Sequence, residues 1–404
     1  MEEIFKKIES FREDMVFLQK ELTARPAIGP ENGGKGEMEK AIFLKGFIKE
    51  IGLNYEEYNA FDERINGERP NLRVNLSGED ESKTFWIITH LDVVPAGNLS
   101  LWQSDPFSAV VKDGKIYGRG TEDNQQEMVA SLFALKALKD LNKKPTCTVS
   151  LLFVADEETG SRFGMGYLLN NFSLFRKEDL ILVPDAGNRD GSLIEIAEKT
   201  ILWLKFLVKG KQTHASTPDD GLNAHRLGAR FLLLLDKELH RRFKKRNRLF
   251  NPPFSTFEPT KKEANCPNIN TIPGEDVFYF DCRLLPEYHP DEITGFIEEL
   301  KEDFQKRYGG EISYEVVMKG EVAPQTPPDV EVVKRLRKAI KMVYPINPKL
   351  GGIGGGTVAA LLRKRGFPCC VWGKNEGQAH QANEYCLIDN MVNDCKVYTA
   401  YALL

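Results

Sequence analysis

The 404-residue sequence has no C-x-x-C pair among its seven cysteines and no apolar run long enough to cross a bilayer. An odd cysteine count without that pair argues against a disulfide framework and against a thiolate zinc site. The N-terminus has the pattern of an amphipathic helix rather than of a signal peptide. We therefore expect a cytoplasmic protein with no membrane partner, in which any metal ligands are His, Asp and Glu.

The chain also lacks a strong excess of charge, internal repeats and low-complexity linkers. Its formal net charge is −4, which is small for this length and gives no general attraction to nucleic acid or to an anionic membrane surface. The basic run Arg241 to Arg246 continues a predicted helix without interleaved aromatics, so we interpret it as a solvated face. A small-molecule or peptide substrate fits this composition better than a nucleic acid.

Predicted helices alternate with short β-branched and aromatic runs, which is typical of an α/β fold. Several of the runs are apolar without strict alternation, as strands covered on both faces should be, and this predicts a mostly parallel sheet. The runs before residue 199 are Asn71 to Leu76, Thr84 to Thr89, Thr148 to Ala155 and Leu180 to Pro184.

The pattern changes between about residues 199 and 323, where the predicted order is βαββαβ, that of a small ferredoxin-like domain. After this segment the earlier α/β pattern returns. We therefore expect a catalytic domain of residues 1–198 and 324–404 and an inserted domain of residues 199–323.

Side chains able to bind metal fall where predicted strands end. His90 and Asp92 close one strand, Glu157 and Glu158 another, and Asp185 a third, while His380 follows the last apolar run. In open α/β sheets, ligands bind beyond the carboxyl ends of the strands, so these residues are expected to converge. Asp123 lies where a turn enters a predicted helix and can join them.

The candidate ligands are two imidazoles and three carboxylates, a set suited to zinc and adequate for cobalt or manganese. Two zinc ions sharing Asp123 would leave one positive charge, which a bridging hydroxide would neutralise. Asp92 can accept the second N–H of the His90 ring and fix its tautomer. Glu157 points away from Glu158 and suits a general base that moves the proton of the attacking water.

Each of these residues also has an ordinary structural interpretation. A lone His at a strand end is more often a hydrogen-bonded structural residue, an Asp after a glycine turn is more often a helix cap, and a Glu-Glu pair is usually solvated surface. Those interpretations explain poorly why one such group follows nearly every predicted strand of a single sheet.

The same residues lie in motifs that resemble the dinuclear zinc aminoacylase and carboxypeptidase family, which includes acetylornithine deacetylase, succinyl-diaminopimelate desuccinylase and glutamate carboxypeptidase. The resemblance covers nearly the whole chain. Its motifs are Thr89-His90-Leu91-Asp92, Gly118 to Asp123, Asp156 to Gly160, Gly210 to Ser216, Asn270 to Gly274, Asp281-Cys282-Arg283 and Ala379 to Glu384.

The resemblance implies that His90 and Asp185 hold one zinc, that Glu158 and His380 hold the other, that Asp123 bridges and that Glu157 is the base. It also implies a cis peptide after Asp123 and a role for His214 in a neighbouring subunit's site. Substrate binding is implied for Asn270 and Arg283 and for the loop residues Gly355, Gly356 and Thr357.

We expect the inserted domain to serve as a lid and as the dimerisation domain of a homodimer. Its predicted helix with Leu232 to Leu235 is apolar around more of its circumference than a one-sided surface helix needs. On the same domain, Arg283 is expected to offer its planar cationic fork to a carboxylate of the substrate.

The expected reaction is hydrolysis of the amide bond of an N-acyl L-amino acid or diamino acid. A dipeptidase or carboxypeptidase built on the same site is an alternative, and a non-catalytic binding protein is a more remote one. Asn124 to Glu127 replace a Lys-Gly pair found after the bridging Asp in many relatives, and Asp185 stands where the two biosynthetic deacylases typically have Glu. These differences weaken assignment to either deacylase.

Overall fold

The computed structural model describes residues 1–320 and 322–404. The helices in these residues are α1 (Glu2–Glu9), α2 (Arg12–Thr23), α3 (Met38–Glu50), α4 (Gln126–Asp140), α5 (Met165–Asn171), α6 (Ala224–Arg242), α7 (Pro290–Tyr308), α8 (Glu331–Val343), α9 (Val358–Lys364) and α10 (Ile388–Leu403). Within this described part, no helix has both the length and the apolar character that a membrane crossing requires.

The strands are β1 (Tyr55–Glu57), β2 (Ala60–Asp62), β3 (Gly67–Arg69), β4 (Leu72–Leu76), β5 (Asp80–His90), β6 (Val110–Lys112), β7 (Lys115–Tyr117), β8 (Cys147–Val154), β9 (Leu180–Val183), β10 (Leu193–Glu198), β11 (Thr200–Lys209), β12 (Thr213–His214), β13 (Thr256–Lys262), β14 (Thr271–Ile272), β15 (Glu275–Leu284), β16 (Glu311–Lys319), β17 (Lys349–Ile353), β18 (Cys369–Val371) and β19 (Tyr385–Leu387).

The chain forms two compact units. The first comprises Met1–Ile196, Thr326–Gly351 and Thr357–Leu404, and the second comprises Ala197–Gln325 and Gly352–Gly356. The first unit contains most of an eight-stranded sheet with the order β1-β4-β8-β5-β9-β18-β10-β17. The second contains a four-stranded sheet and both of the long helices α6 and α7.

The four central strands of the large sheet, β8, β5, β9 and β18, are parallel. The flanking strands β1, β4 and β10 pair antiparallel with their neighbours. The central strands are apolar and buried on both faces, as the unbroken hydrophobic runs predicted. Because parallel strands end at one edge, the residues that follow β5, β8 and β9 emerge side by side.

Helix α4 is buried on nearly all sides, since 12 of its 15 residues are inaccessible to solvent. It packs against α10, α2 and α1 and against the central strands β5 and β8. A helix buried in this way has little freedom to move, because close packing leaves no space for displacement. The turn that precedes it, which carries Asp123, is therefore attached to a fixed element.

The second unit has the predicted βαββαβ order, and β12 and β14 form an additional two-stranded antiparallel sheet. Its sheet has the order β13-β15-β11-β16, and all three pairings are antiparallel. Alternate residues of β11 and β15 are buried, so one face of the sheet packs into a core with α6 and α7. The predicted fold class, a mostly parallel α/β unit with an inserted ferredoxin-like unit, is confirmed.

Two carboxyl groups meet inside the first unit, where α4 contacts α10. Glu127 and Asp394 are both fully buried, and Gln126 Nε2 donates to Glu127 Oε1 at 2.8 Å and to Asp394 Oδ2 at 3.2 Å. Tyr398 donates to Glu127, and Tyr344 donates to Asp394 Oδ1 at 2.9 Å. Burial raises the pKa of Asp394 to about 7 and, together with the Asp394 charge, raises the pKa of Glu127 well above its usual range. The pair therefore retains a proton near neutral pH.

Replacing Glu127 by Gln is predicted to change how stability depends on pH. A carboxyl group whose pKa is raised by folding contributes stability that is fully present below its unfolded-state pKa of about 4. This stabilisation is lost as the pH rises through the folded-state pKa. Gln supplies a permanent neutral donor, so the Glu127→Gln variant should gain stability relative to the unsubstituted protein between pH 5 and pH 8. Urea unfolding at pH 5 and at pH 8 measures the difference in stability between the variant and the unsubstituted protein, with exposed Glu178→Gln as the matched control. An identical stability difference at the two pH values would contradict a shared proton.

Candidate metal centre

The carboxyl edge of the large sheet brings together the side chains that the sequence placed at strand ends. His90 is the last residue of β5, Glu157 and Glu158 form a short turn that begins three residues after β8, and Asp185 lies two residues after β9. His380 lies in the loop after β18, and Asp123 lies in the turn before α4. All six residues belong to the first unit.

Their donor atoms form two groups that share one carboxylate. His90 Nε2 lies 3.0 Å from Asp123 Oδ1 and 3.2 Å from Asp185 Oδ1. His380 Nε2 lies 3.0 Å from Glu158 Oε2 and 3.2 Å from Asp123 Oδ2. Within each group the donor atoms all lie within 4.8 Å of one another. Asp123 therefore presents one oxygen to each histidine.

This donor set suits metal ions better than it suits a cluster of hydrogen bonds. Imidazole nitrogen and carboxylate oxygen are the ligands that zinc, cobalt and manganese share. Glu158 Oε1 is buried and has no hydrogen-bond partner among the described residues. A buried carboxylate oxygen without a donor is costly, and a cation would stabilise it. The residues present thus fit two metal ions.

The peptide bond between Asp123 and Asn124 is cis, which confirms the expectation drawn from the resemblance. Asp123 and Asn124 have non-helical backbone angles inside the turn that leads into α4. His380 also lies in a conformation rare for a residue with a side chain, at φ 64°. Asp123 and His380 therefore both lie in irregular backbone, and neighbouring groups hold these segments in place.

Glu384 holds the segment that carries Asp123. Its buried carboxylate accepts hydrogen bonds from Arg119 Nη1 at 2.6 Å and from the main-chain N–H groups of Gly120, Glu122 and Asp123 at 2.9 to 3.1 Å. Four donors to one carboxylate, one of them charged, make a rigid anchor. Asp123, which belongs to both donor groups, is therefore attached to the C-terminal segment of the chain.

Glu122 holds the His380 loop in return. Its carboxylate accepts from the main-chain N–H groups of Glu376, Gln378 and Ala379, the last at 3.1 Å. Glu122 and Glu384 lie within the quoted motifs, but no role was predicted for either from the sequence. The signal that could have found them is an acidic residue adjacent or close to a candidate metal ligand.

Asp92 is oriented differently from the sequence expectation. Its carboxylate accepts from the N–H groups of Glu157 at 3.1 Å and Glu158 at 3.0 Å. His90 Nδ1 lies 3.0 Å from the main-chain oxygen of Asp92 and 3.5 Å from its carboxylate. The nearer acceptor for the ring is thus the backbone, because the side chain is turned toward the turn after β8. Asp92 positions the Glu157–Glu158 pair as well as the imidazole.

The Glu157 carboxylate accepts no hydrogen bond from a donor in residues 1–320 or 322–404. Burial, followed by the nearby charge of Asp185, raises the pKa of Glu157 well above its usual range. A partly buried carboxylate with a raised pKa is suited to accept a proton from water.

In the second unit, His214 pairs with Thr271 where β12 and β14 form a two-stranded antiparallel sheet, and His214 is exposed. Its Nδ1 accepts the N–H of Ser216 at 3.1 Å, so the neutral ring carries its proton on Nε2. Asn270 lies beside it, with its main-chain oxygen accepting from Ala215 N–H at 2.8 Å. This strand pair therefore brings His214 and Asn270 together.

The Arg283 guanidinium, expected to be a free fork for a substrate carboxylate, is already paired. Its Nε and Nη2 donate to Asp281 at 2.7 and 2.9 Å, and its Nη1 donates to Gly354 O at 3.1 Å. A side chain added at Gly355 would meet nothing within 4 Å, and one at Gly356 would make only an ordinary contact. Thr357 caps α9 by accepting from Ala359 N–H at 3.1 Å.

Residues 86–404 match the model of Peptidase family M20/M25/M40. The chain belongs to this family. An uncharacterized metallohydrolase of Methanocaldococcus jannaschii is 44% identical over 405 residues, covering 96% of this chain and 98% of the relative. A succinyl-diaminopimelate desuccinylase of Polynucleobacter necessarius is 26% identical over 386 residues, covering 94% and 96%.

Solved structures share the fold of this M20 chain. An M20 family metallo-carboxypeptidase of Sulfolobus solfataricus has a TM-score of 0.77 at 21% identity, covering 96% of this chain and 98% of that one. Human carnosine dipeptidase 1 has a TM-score of 0.75 at 17% identity, covering 100% and 98%. The chain is therefore a metal-dependent hydrolase of peptide or amide bonds, as the motifs predicted.

Replacing Glu157 by Gln is predicted to retain metal and lose most activity. The amide occupies the same space but cannot accept a proton, and loss of a general base typically costs 10²-fold or more in kcat. Metal content after dialysis and turnover of an amide substrate are measured together, with exposed Glu178→Gln as the matched control. Turnover within a few-fold of the unsubstituted enzyme would remove Glu157 from the reaction.

Proposed function

We propose that this chain hydrolyses the amide bond of N-acyl L-amino acids or N-acyl diamino acids. The observation that carries the proposal is the partly buried Glu157 carboxylate, to which no described residue donates, beside two donor groups that share Asp123. Support for the acyl class comes from the curated relatives, among which desuccinylases match over nearly the full length of both chains. Their identity of 26% supports a reaction type and leaves the acyl group open.

We assign one zinc ion to His90 and Asp185, the other to Glu158 and His380, and Asp123 to both. Cobalt or manganese would also suit these ligands. When bound, two such ions polarise a carbonyl oxygen and lower the pKa of water. Three ligand carboxylates against two divalent charges leave a net positive site, which suits a reaction that develops negative charge on oxygen.

The protein's own part in the reaction is a proton transfer by Glu157. Its carboxylate accepts a proton from the attacking water as the water oxygen bonds to the acyl carbon. The same proton is then donated to the leaving nitrogen as the carbon–nitrogen bond breaks, giving a carboxylate and an amine. Asp92 keeps Glu157 in place through the main-chain hydrogen bond at 3.1 Å.

We assign residues 1–198 and 324–404 to catalysis and residues 199–323 to a lid and dimerisation domain of a cytoplasmic homodimer. The run Leu232 to Leu235 was expected to form the interface, yet Leu235 is buried and Leu232 and Leu234 pack against the core of the second unit. Leu233 remains 67% exposed, and the edge strand β16 exposes Val316 and Val317. These three apolar side chains support the proposed interface.

A dipeptidase or carboxypeptidase is the second candidate, supported by the fold shared with such enzymes. Because both candidates use the same metal centre, they differ in substrate preference, which turnover of a panel of substrates measures. The panel consists of N-acetyl and N-succinyl amino acids, N-acyl diamino acids, dipeptides and blocked peptides at equal concentration. The proposal expects the highest kcat/KM on an N-acyl compound, whereas a clear preference for dipeptides would support the second candidate. Membership of a hydrolase family argues against the alternative of a non-catalytic binding protein.

The substrate is predicted to carry a free carboxylate on the carbon next to the scissile nitrogen. We assign its recognition to Arg283, Asn270 and the loop of Gly355, Gly356 and Thr357, with Asp281 holding the guanidinium in position. A hydrogen bond to a charged group contributes about 1.5 to 3 kcal/mol, so converting the carboxylate to an amide should lower kcat/KM at least about tenfold. Arg283→Ala should remove most of that difference, and Arg248→Ala is the control. Equal efficiency on acid and amide would contradict this assignment.

His214 is predicted to act in a neighbouring subunit, because it is exposed on the β12–β14 strand pair and its Nε2 has no partner among the described residues. Two inactive variants, His214→Ala and Glu157→Gln, should then restore activity when mixed, since each heterodimer contains one site with both residues. The His214→Ala protein on its own controls for activity contributed by an intact Glu157 without His214. Absence of rescue after demonstrated subunit exchange would place His214 in its own subunit's site or outside the reaction.

A further inference from the structure

Asn124, which stands where many relatives have a different residue pair, touches two of the proposed ligands. It is 1% exposed and lies between Asp123 and α4. Its side-chain Nδ2 donates to Asp185 Oδ1 at 2.7 Å, and its Oδ1 accepts the main-chain N–H of His90 at 3.2 Å. The amide thus joins the ends of β5 and β9, which carry the two unshared ligands of the first donor group.

The second donor group is supported by other residues. Asp92 accepts from the N–H of Glu158, and Glu122 accepts from the N–H of Ala379, next to His380. Among the described residues, the side chains that bond the Asp185 carboxylate are those of Asn124 and His90. The two groups share Asp123 and have separate supports for their unshared ligands.

The chemistry of an amide suits this position. Its N–H uses one lone pair of Asp185 Oδ1 and leaves the remaining lone pairs of the carboxylate for a cation. Because the amide is neutral, it adds no further negative charge to a site that already contains three ligand carboxylates. Its oxygen at the same time fixes the backbone of His90, so one side chain sets the separation of both ligands.

We propose that Asn124 is the positioning residue of the metal position formed by His90 and Asp185, and that the position formed by Glu158 and His380 does not depend on it. This inference rests on the metal assignment of the proposed function. Loss of a group that orients metal ligands typically weakens metal affinity by 10- to 100-fold. Removing the Asn124 amide should therefore weaken one of two zinc positions and leave the other intact.

Equilibrium dialysis of the full chain against zinc tests this directly. The unsubstituted protein should bind two equivalents tightly, and Asn124→Ala should bind one tightly and one about 10- to 100-fold more weakly. Asn188→Ala is the matched control, because Asn188 lies on the Asp185 loop and its side-chain amide bonds Ser192 and Leu193. It should keep two tight equivalents.

Double variants identify which position is weakened. Asn124→Ala added to His90→Ala should cost no further tight equivalent, whereas Asn124→Ala added to His380→Ala should leave none. The opposite pattern, or two tight equivalents in Asn124→Ala, would overturn the inference. Should Asn124→Ala fail to fold, Asn124→Ser is measured in the same way, and circular dichroism of the metal-free proteins checks that both retain the fold.

Failure of the proposed function gives a different result. An unsubstituted protein that binds fewer than two equivalents of zinc contradicts the metal assignment itself. Two tight equivalents in both the unsubstituted protein and the Asn124→Ala variant contradict only the role of Asn124.

Discussion

The shared carboxylate of Asp123 is the constraint on which the rest of the site depends. One oxygen faces His90 and the other faces His380, so both donor groups exist only if this side chain is held at one position and angle. Asp185 and Glu158 bring further negative charge into the same volume. Without cations the carboxylates repel one another, and the surrounding structure must hold them close together.

That holding is done largely by main-chain N–H groups. Glu384 accepts from three of them around Asp123, Glu122 from three around the His380 loop, and Asp92 from two at the turn after β8. Carboxylates that accept several backbone bonds fix loops without large apolar contacts. The parallel strand ends and the buried helix α4 supply the rigid elements to which these loops are attached. Chemistry at this edge of the sheet therefore requires little motion of the scaffold.

Strand ends and motif spacing were sufficient to predict that His90, Asp123, Asp185, Glu158 and His380 would converge, because a parallel sheet places such residues at one edge. The orientation of individual side chains could not be predicted from the sequence. Spacing placed Asp92 on the same side as His90, but the Asp92 carboxylate turns to the N–H groups of Glu157 and Glu158. Arg283 was expected to be free, and its partner Asp281, two residues away on β15, became evident only from the structure. The leucines of α6 show the same limit, since a long apolar run does not indicate which side faces the core.

We propose that two metal ions bind at this edge of the sheet and share Asp123. Crystals of the zinc-loaded protein, with diffraction recorded at and just below the zinc absorption edge, show directly whether they do. Two anomalous peaks are expected, one between His90 and Asp185 and one between Glu158 and His380, each also contacting an oxygen of Asp123. A single peak, or two peaks without Asp123 between them, would contradict a shared dinuclear site.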